Sequence, residues 1–251
     1  MERFLEEVFL VSRLHHPNVV LFLGACVNPE RPCMLMEYLP RGTLYDLIHS
    51  QPNRLRGQQQ QHLKKGGASP GGTGDHRPMT EALGHKLATD IARGMKYLHS
   101  RAGVIQRDLK SPNLLLDLDY NVKVCDFGLS KHKADGEHRS AAARQGTPAW
   151  TAPEVIRGDP YDQKADVYSF GIVLWELLTL RTPYVGISVH QVAFLVGREG
   201  HRLDVPDYVL AEYKHLLQQC WQEDPRKRPP FGDILQALYK LYKDREQLHC
   251  W

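Results

Sequence analysis

Residues 104–128 read Val-Ile-Gln-Arg-Asp-Leu-Lys-Ser-Pro-Asn-Leu-Leu-Leu-Asp-Leu-Asp-Tyr-Asn-Val-Lys-Val-Cys-Asp-Phe-Gly, and this stretch decides the fold. Asp108 and Asn113 stand at the two ends of a short turn, with Lys110 between them. Leu114, Leu115 and Leu116 form a strand-like apolar run, and Val122 and Val124 alternate as a second strand. That hairpin carries a second carboxylate, Asp126, back beside the turn. Two acids, one amide and one lysine therefore converge. Phosphoryl transfer needs such a set: a base to orient a hydroxyl, oxygen ligands for magnesium, and a cation for phosphate charge.

The spacing matches a known signature, His-Arg-Asp-Leu-x-x-x-Asn followed by Asp-Phe-Gly. Here it reads Gln106-Arg107-Asp108-Leu109-Lys110-Ser111-Pro112-Asn113, then Asp126-Phe127-Gly128. Ala152-Pro153-Glu154 supplies a third element. On these residues the chain resembles a eukaryotic protein kinase. One tripeptide is weak support, whereas three in order are strong. The bland alternative, a buried hairpin flanked by incidental aspartates, is much less favoured.

Composition sets the bounds. At 251 residues the chain is one large domain or two small ones. Its 42% hydrophobic content can bury a sizeable core, and 24% charged residues with a net charge of +3 are ordinary for a soluble domain. That mild excess gives no reason to expect a nucleic-acid partner. The longest apolar run, Val167 to Leu180, is broken by Ser169, Gly171 and Glu176, so no membrane span is expected. Glu2, Glu6 and Glu7 do not suit a signal peptide. The cysteines at 26, 33, 125, 220 and 250 form no Cys-x-x-Cys pair, which reads as a reduced, cytoplasmic chain.

Upstream of the central stretch, Phe4, Leu5, Val8, Val11 and Leu14 recur at helical spacing over residues 2–14. Val19–Val27 and Cys33–Tyr38 follow as strands. Thr43 is a plausible cap for a short helix. Residues 51–79 are low in complexity and poor in apolar side chains, and read as a disordered insertion. From Thr80, the residues Leu83, Leu87, Ile91, Gly94, Met95 and Leu98 line one helix face. Residues 164–180 are apolar nearly all round, the mark of a buried helix. Further helices are expected near 188–197, 209–220 and 231–243.

The resemblance implies an α+β, protein-kinase-like, two-lobed fold. Residues 1–38 would be an incomplete small lobe, holding the family's αC helix and its fourth and fifth strands. Residues 39–243 would be a complete, mainly helical large lobe carrying the insertion 51–79, with a tail at 244–251. A strand edge and apolar residues such as Val11 and Phe22 should then lie uncovered.

The resemblance also assigns roles. It implies transfer of the γ-phosphate of ATP to Ser or Thr hydroxyls of a protein substrate, in signalling. Asp108 would accept the hydroxyl proton, Lys110 would steady the phosphoryl group, and Asn113 and Asp126 would hold Mg2+. Met36 would stand at the back of the nucleotide pocket, although a core role fits it equally from sequence alone. Glu37 and Leu39 would offer backbone groups to the adenine edge, with Leu115 also at the nucleotide. Glu7 stands where the family places its αC glutamate; a solvated helix-face acid is the alternative. Asp166 would bond the backbone of the catalytic turn, and Arg228 would pair with Glu154. Thr147 would shape the substrate-docking loop. Phe127 and Gly128 complete the Asp-Phe-Gly element.

Lys110 is the serine/threonine form of the loop. Leu21-Phe22-Leu23-Gly24-Ala25-Cys26, Leu39-Pro40-Arg41-Gly42-Thr43-Leu44 and Gly146-Thr147-Pro148-Ala149-Trp150 resemble the Raf-like, mixed-lineage branch of the tyrosine-kinase-like group. Two departures stand out. Gln106 replaces the signature histidine, so weakened alignment of Phe127 is expected. No Gly-x-Gly-x-x-Gly and no Val-Ala-Ile-Lys strand precede Glu7. The expectation is a truncated active kinase with negligible activity and poor solubility as given; the alternative is a non-catalytic kinase-like binding module. Ser140 is the candidate for regulation by an upstream kinase or by self-phosphorylation, with an ordinary loop serine as the evenly weighted alternative. Its phosphate would be read by Arg107 across a loop rich in Lys131, Lys133, Arg139 and Arg144.

Overall fold

The computed structural model describes residues 1–49, 79–128, 130–132 and 147–248. The low-complexity stretch, apart from Met79, and Ser140 lie outside the described residues.

Helix α1 (Glu2–Val11) ends sooner than the spacing out to Leu14 suggests. Pro17 disfavours helix in the residue before it, and the chain leaves through bonds from Arg13 N to Leu10 O and from Leu14 N to Val11 O. Strands β1 (Phe22–Cys26) and β2 (Cys33–Met36) form an antiparallel hairpin. Its register sets Gly24 against Leu35, Ala25 against Met34 and Cys26 against Cys33.

Both strands are shorter than the apolar runs that announce them. Val19 and Val20 turn to the large lobe instead. Val20 N donates to Val124 O and Val124 N donates to Asn18 O, both at 3.0 Å. Asn18 Nδ2 adds a bond to Val122 O at 2.9 Å. Val11 is 2% exposed and Phe22 packs against the core, so the expectation that these two lie uncovered is wrong. Exposed apolar side chains in this part of the chain include Leu5, Phe9, Leu23, Val27 and Leu35.

Helix α2 (Leu44–His49) is capped as expected: Thr43 Oγ1 accepts from Asp46 N at 3.0 Å. Helix α3 (Glu81–Tyr97) is capped by Thr80, whose Oγ1 accepts from Leu83 N at 3.1 Å. Its inner face buries Leu87, Ile91 and Met95 completely. Gly94 meets the backbone of the N-terminal segment, since a Cβ there would lie 2.6 Å from Asn18 O. A π-type turn, Leu98–Ala102, closes α3, and Gly103 at φ 66° takes the left-handed conformation that ends it.

Strand β3 (Val104–Ile105) then leads into the turn. Strands β4 (Leu114–Leu116) and β5 (Val122–Val124) form the expected hairpin, with Leu114 opposite Val124 and Leu116 opposite Val122. Strand β6 (Lys131–His132) pairs back onto β3. Helix α4 (Pro153–Arg157) precedes the central helix α5 (Lys164–Thr179), which buries every residue except Lys164 and Leu178. Helices α6 (Val189–Gly197), α7 (Ala211–Cys220) and α8 (Phe231–Leu248) pack the rest. Helix α8 continues past its expected end near 243, into the stretch read as a tail. Among the described residues the strands form three two-stranded sheets, and the large lobe is helical.

Candidate active site

Two non-glycine residues of the site adopt positive φ: Arg107 at 70° and Asp126 at 60°. Such conformations persist only when their surroundings impose them. For Arg107 the constraint is Asp166, in the first turn of α5. Asp166 Oδ2 accepts from Gln106 N at 2.9 Å and Oδ1 accepts from Arg107 N at 2.8 Å. His99 Nε2 lies 2.7 Å from the same Oδ2. The carboxylate is 1% exposed, so these partners offset its desolvation. This is the role that the resemblance assigned to Asp166.

The turn that follows brings three expected residues onto one oxygen. Lys110 Nζ donates to Asp108 Oδ2 at 2.8 Å. Asn113 Nδ2 donates to the same oxygen at 2.9 Å and to Asp108 O at 2.9 Å. Charge-assisted bonds of this length fix the carboxylate rotamer. Asp126 comes alongside because Cys125 N donates to Asn113 O at 3.0 Å. Burial pushes the Cys125 thiol up to about 12, so it stays protonated.

Gln106 binds the two halves of the site together. It is fully buried. Its Nε2 donates to Cys125 O at 3.2 Å and to Asp126 O at 2.8 Å, while Oε1 accepts from Asp108 N at 2.7 Å. An amide offers donors and an acceptor at once. Phe127, next to Asp126, is buried at 3% exposed.

Glu7 reaches the same corner from α1. A methyl group placed on Gly128 would sit 3.5 Å from Asp126 Oδ1 and 3.6 Å from Glu7 Oε2. Partial burial and then the charge of Asp126 raise the Glu7 pKa above its ordinary 4.5. On the far side, Met36 ends β2 half-buried. Glu37 Oε1 accepts from Leu21 N and from Lys123 Nζ, each at 2.7 Å, which anchors the segment to the residue before β1 and to β5. Leu39 is buried. Arg41 N donates to Leu116 O at 3.2 Å and Leu116 N to Gly42 O at 3.0 Å. The segment thus runs beside β4, and Leu115 bridges to Thr43.

Glu154 and Arg228 make the expected pair. Arg228 Nη1 donates to Glu154 Oε1 at 2.6 Å and Nη2 donates to Oε2 at 2.8 Å, a buried two-pronged contact. The guanidinium also donates from Nε to Gln222 O at 2.8 Å and from Nη1 to Lys164 O at 3.0 Å. Lys164 Nζ returns a bond to Arg228 O. Arg107 lies over the Tyr161 ring, 5.6 Å from its centroid. Thr147 is exposed, and its carbonyl accepts from Trp150 N at 3.1 Å and from Thr151 Oγ1 at 3.2 Å.

Sequence reasoning missed Glu176, which it read only as a break in an apolar run. The side chain is fully buried within α5. Its Oε1 accepts from Ser111 Oγ at 2.8 Å and faces His49 Nε2 at 3.0 Å. Its Oε2 accepts from Trp150 Nε1 at 2.7 Å. The signal was present: an acid inside a helix that is buried all round must have partners.

As for magnesium, Asn113 spends its amide nitrogen on Asp108, so its oxygen is the group that remains for a cation. Asp126 supplies a carboxylate next to it. Magnesium characteristically takes one or two protein oxygens and completes its shell from phosphates and water. The donor set fits that ion.

A fold with a buried central helix, an acid–lysine–amide turn and a clamped Ala-Pro-Glu segment defines a phosphotransferase scaffold. The family model described as protein tyrosine and serine/threonine kinase matches residues 1–238, and the chain belongs to that family. It is 43% identical over 244 residues to the probable serine/threonine-protein kinase SIS8 of Arabidopsis thaliana, covering 97% of this chain and 21% of the relative. It is 41% identical over 244 residues to the serine/threonine-protein kinase CTR1 of Arabidopsis thaliana, covering 97% of this chain and 27% of the relative. It is 43% identical over 235 residues to the probable serine/threonine-protein kinase drkC of Dictyostelium discoideum, covering 93% of this chain and 28% of the relative. The Raf-like resemblance agrees with these relatives. The chain thus spans about a quarter of the length of these curated relatives. Among the described residues, no helix is long and apolar enough to cross a membrane.

Proposed function

We propose that this chain carries the phosphotransfer machinery of a serine/threonine protein kinase that acts on protein substrates. The observation that carries this reading is the convergence of Lys110 and Asn113 on Asp108 Oδ2. Both contacts fall on one oxygen, so Oδ1 is the oxygen that orients the substrate hydroxyl and takes its proton. Lys110 then faces the developing charge on the transferred group. Asn113 and Asp126 are the residues to hold Mg2+, which when bound neutralises charge on the phosphates of ATP. Met36, Glu37, Leu39 and Leu115 border the adenine end. Glu154 and Arg228 hold the substrate-facing segment against the lobe, with Thr147 at its edge.

A second reading has its own observation. The charge acting on Glu7 is that of another acid, Asp126, and residues 1–251 hold no Gly-x-Gly-x-x-Gly. This chain by itself should therefore transfer little phosphate, and it would act as a kinase-like binding module. One experiment separates the readings. ATP-dependent phosphorylation of a generic basic protein is measured for the chain and for a chimera with a Gly-rich loop and a lysine-bearing strand ahead of Glu2. Transfer by the chimera that disappears in Asp108→Asn is the expected result. A chimera that binds Mg-ATP yet transfers nothing would overturn the enzyme reading in favour of the module.

A further inference from the structure

Cys26 and Cys33 are the last residues to pair at the loop end of the β1–β2 hairpin. They lie directly opposite each other in the antiparallel register. Both are free and exposed. Antiparallel partners place their Cα atoms about 4.5 or about 5.5 Å apart, and both values fall within the roughly 4.4–6.8 Å that a disulfide spans. Cross-strand partners also project their side chains on the same face. The connecting loop is ordered: Glu30 N donates to Asn28 Oδ1 at 3.0 Å and Arg31 N to Asn28 O at 3.1 Å.

We propose that Cys26 and Cys33 form a redox modification site, a dithiol that low-molecular-weight disulfides convert to a cross-strand disulfide. One cysteine thiolate attacks glutathione disulfide, forming a mixed disulfide and releasing one glutathione thiolate. The opposite cysteine, deprotonated to solvent, then attacks the protein sulfur of that mixed disulfide and expels the second glutathione. Two protein thiols lose two electrons to one glutathione disulfide, which leaves as two glutathiones. The remaining described cysteines do not compete. Cys220 is buried and its thiol is pushed up to about 12, and Cys125 is half-buried and shifted likewise.

The site is independent of the phosphotransfer reading. It lies one short strand away from Met36, so closing it stiffens the hairpin that β2 completes. The link closes a short loop and acts mainly on the unfolded chain.

The test uses the purified chain and glutathione disulfide as the probe. Free thiols are blocked with N-ethylmaleimide, and the unreduced chain is cut after glutamate. Cleavage at Glu7, Glu30 and Glu37 separates Cys26 from Cys33, into Val8–Glu30 and Arg31–Glu37. The expected product is these two fragments joined, parted by dithiothreitol, with Cys125 and Cys220 still reduced. The folded chain should form the link at least about tenfold more readily than the chain in urea, because the register supplies the proximity. Its thermal midpoint should rise on oxidation and fall back on reduction. Cys33→Ser, at an exposed position, should leave Cys26 as a glutathione adduct with no such rise. Separate fragments carrying maleimide or glutathione, links between chains, or equal yields in urea would each overturn the proposal.

Discussion

Ser111 Oγ donates to Glu176 Oε1 at 2.8 Å, which ties the turn after Asp108 to the buried side of the central helix. Trp150 Nε1 meets the other oxygen at 2.7 Å. One carboxylate thereby sets the distance between the turn that carries Asp108 and the segment that ends at Glu154. Removing it leaves buried donors without partners. We expect Glu176→Ala to cost roughly 3–5 kcal/mol of unfolding free energy, and Ser111→Ala about 1 kcal/mol. Urea unfolding followed by Trp fluorescence measures both. Equal, small costs for the two variants would show that the hub is not cooperative.

Arg228 makes the second structural clamp. Arg228→Lys retains the charge but lacks the planar fork that meets both oxygens of Glu154. We expect it to lose most of what Arg228→Ala loses, and the latter to cost roughly 3–5 kcal/mol by stranding a buried carboxylate. Scanning calorimetry on both variants decides. A near-wild-type Lys variant would mean that charge alone suffices.

Gln106 is tested by two replacements. Gln106→Ala deletes three hydrogen bonds and leaves the part-buried carbonyls of Cys125 and Asp126 with fewer donors. A loss of roughly 2–4 kcal/mol follows. Gln106→His restores the signature residue and should stay within about 1 kcal/mol of wild type if it recovers one of the carbonyl contacts. Chemical denaturation of the pair gives the answer.

Glu7 makes stability depend on pH. Its folded-state pKa is raised above the ordinary 4.5, by partial burial first and Asp126 second. Ionising it therefore costs more in the folded chain than in the unfolded one. The penalty is absent below 4.5 and grows as pH rises from there through the folded value. Glu7→Gln removes it. The variant should melt above wild type at neutral pH, and the gap should close in acid below 4.5. A variant that melts lower at neutral pH would contradict this account.

Much of the site was legible because it is local. Asp108, Lys110 and Asn113 share a short turn, so spacing alone brought them together. Asp166, Glu154 and Arg228 lie far apart in sequence and were placed by resemblance. The strand ends were misjudged because Val19 and Val20 carry the same apolar signal whether they pair with β2 or with Val124. Val11 and Phe22 looked uncovered because the core they join draws on segments that no window around residue 11 or 22 contains. That Glu176 needs partners was readable, but which ones was not, since Ser111, Trp150 and His49 come from three distant segments.

The contact between Gly94 and Asn18 has a mechanical consequence. Helix α3 and the N-terminal segment touch backbone to backbone there, and bonds from Val20, Val124 and Asn18 lock the segment to β5. The N-terminal segment is thus pinned at Asn18, with a second tie where Glu37 meets Lys123 of β5. An opening that keeps these bonds must pivot here rather than slide. Helix α1 becomes a lever with its fulcrum at Asn18, and the gap between Glu7 and Asp126 becomes a gauge of its angle.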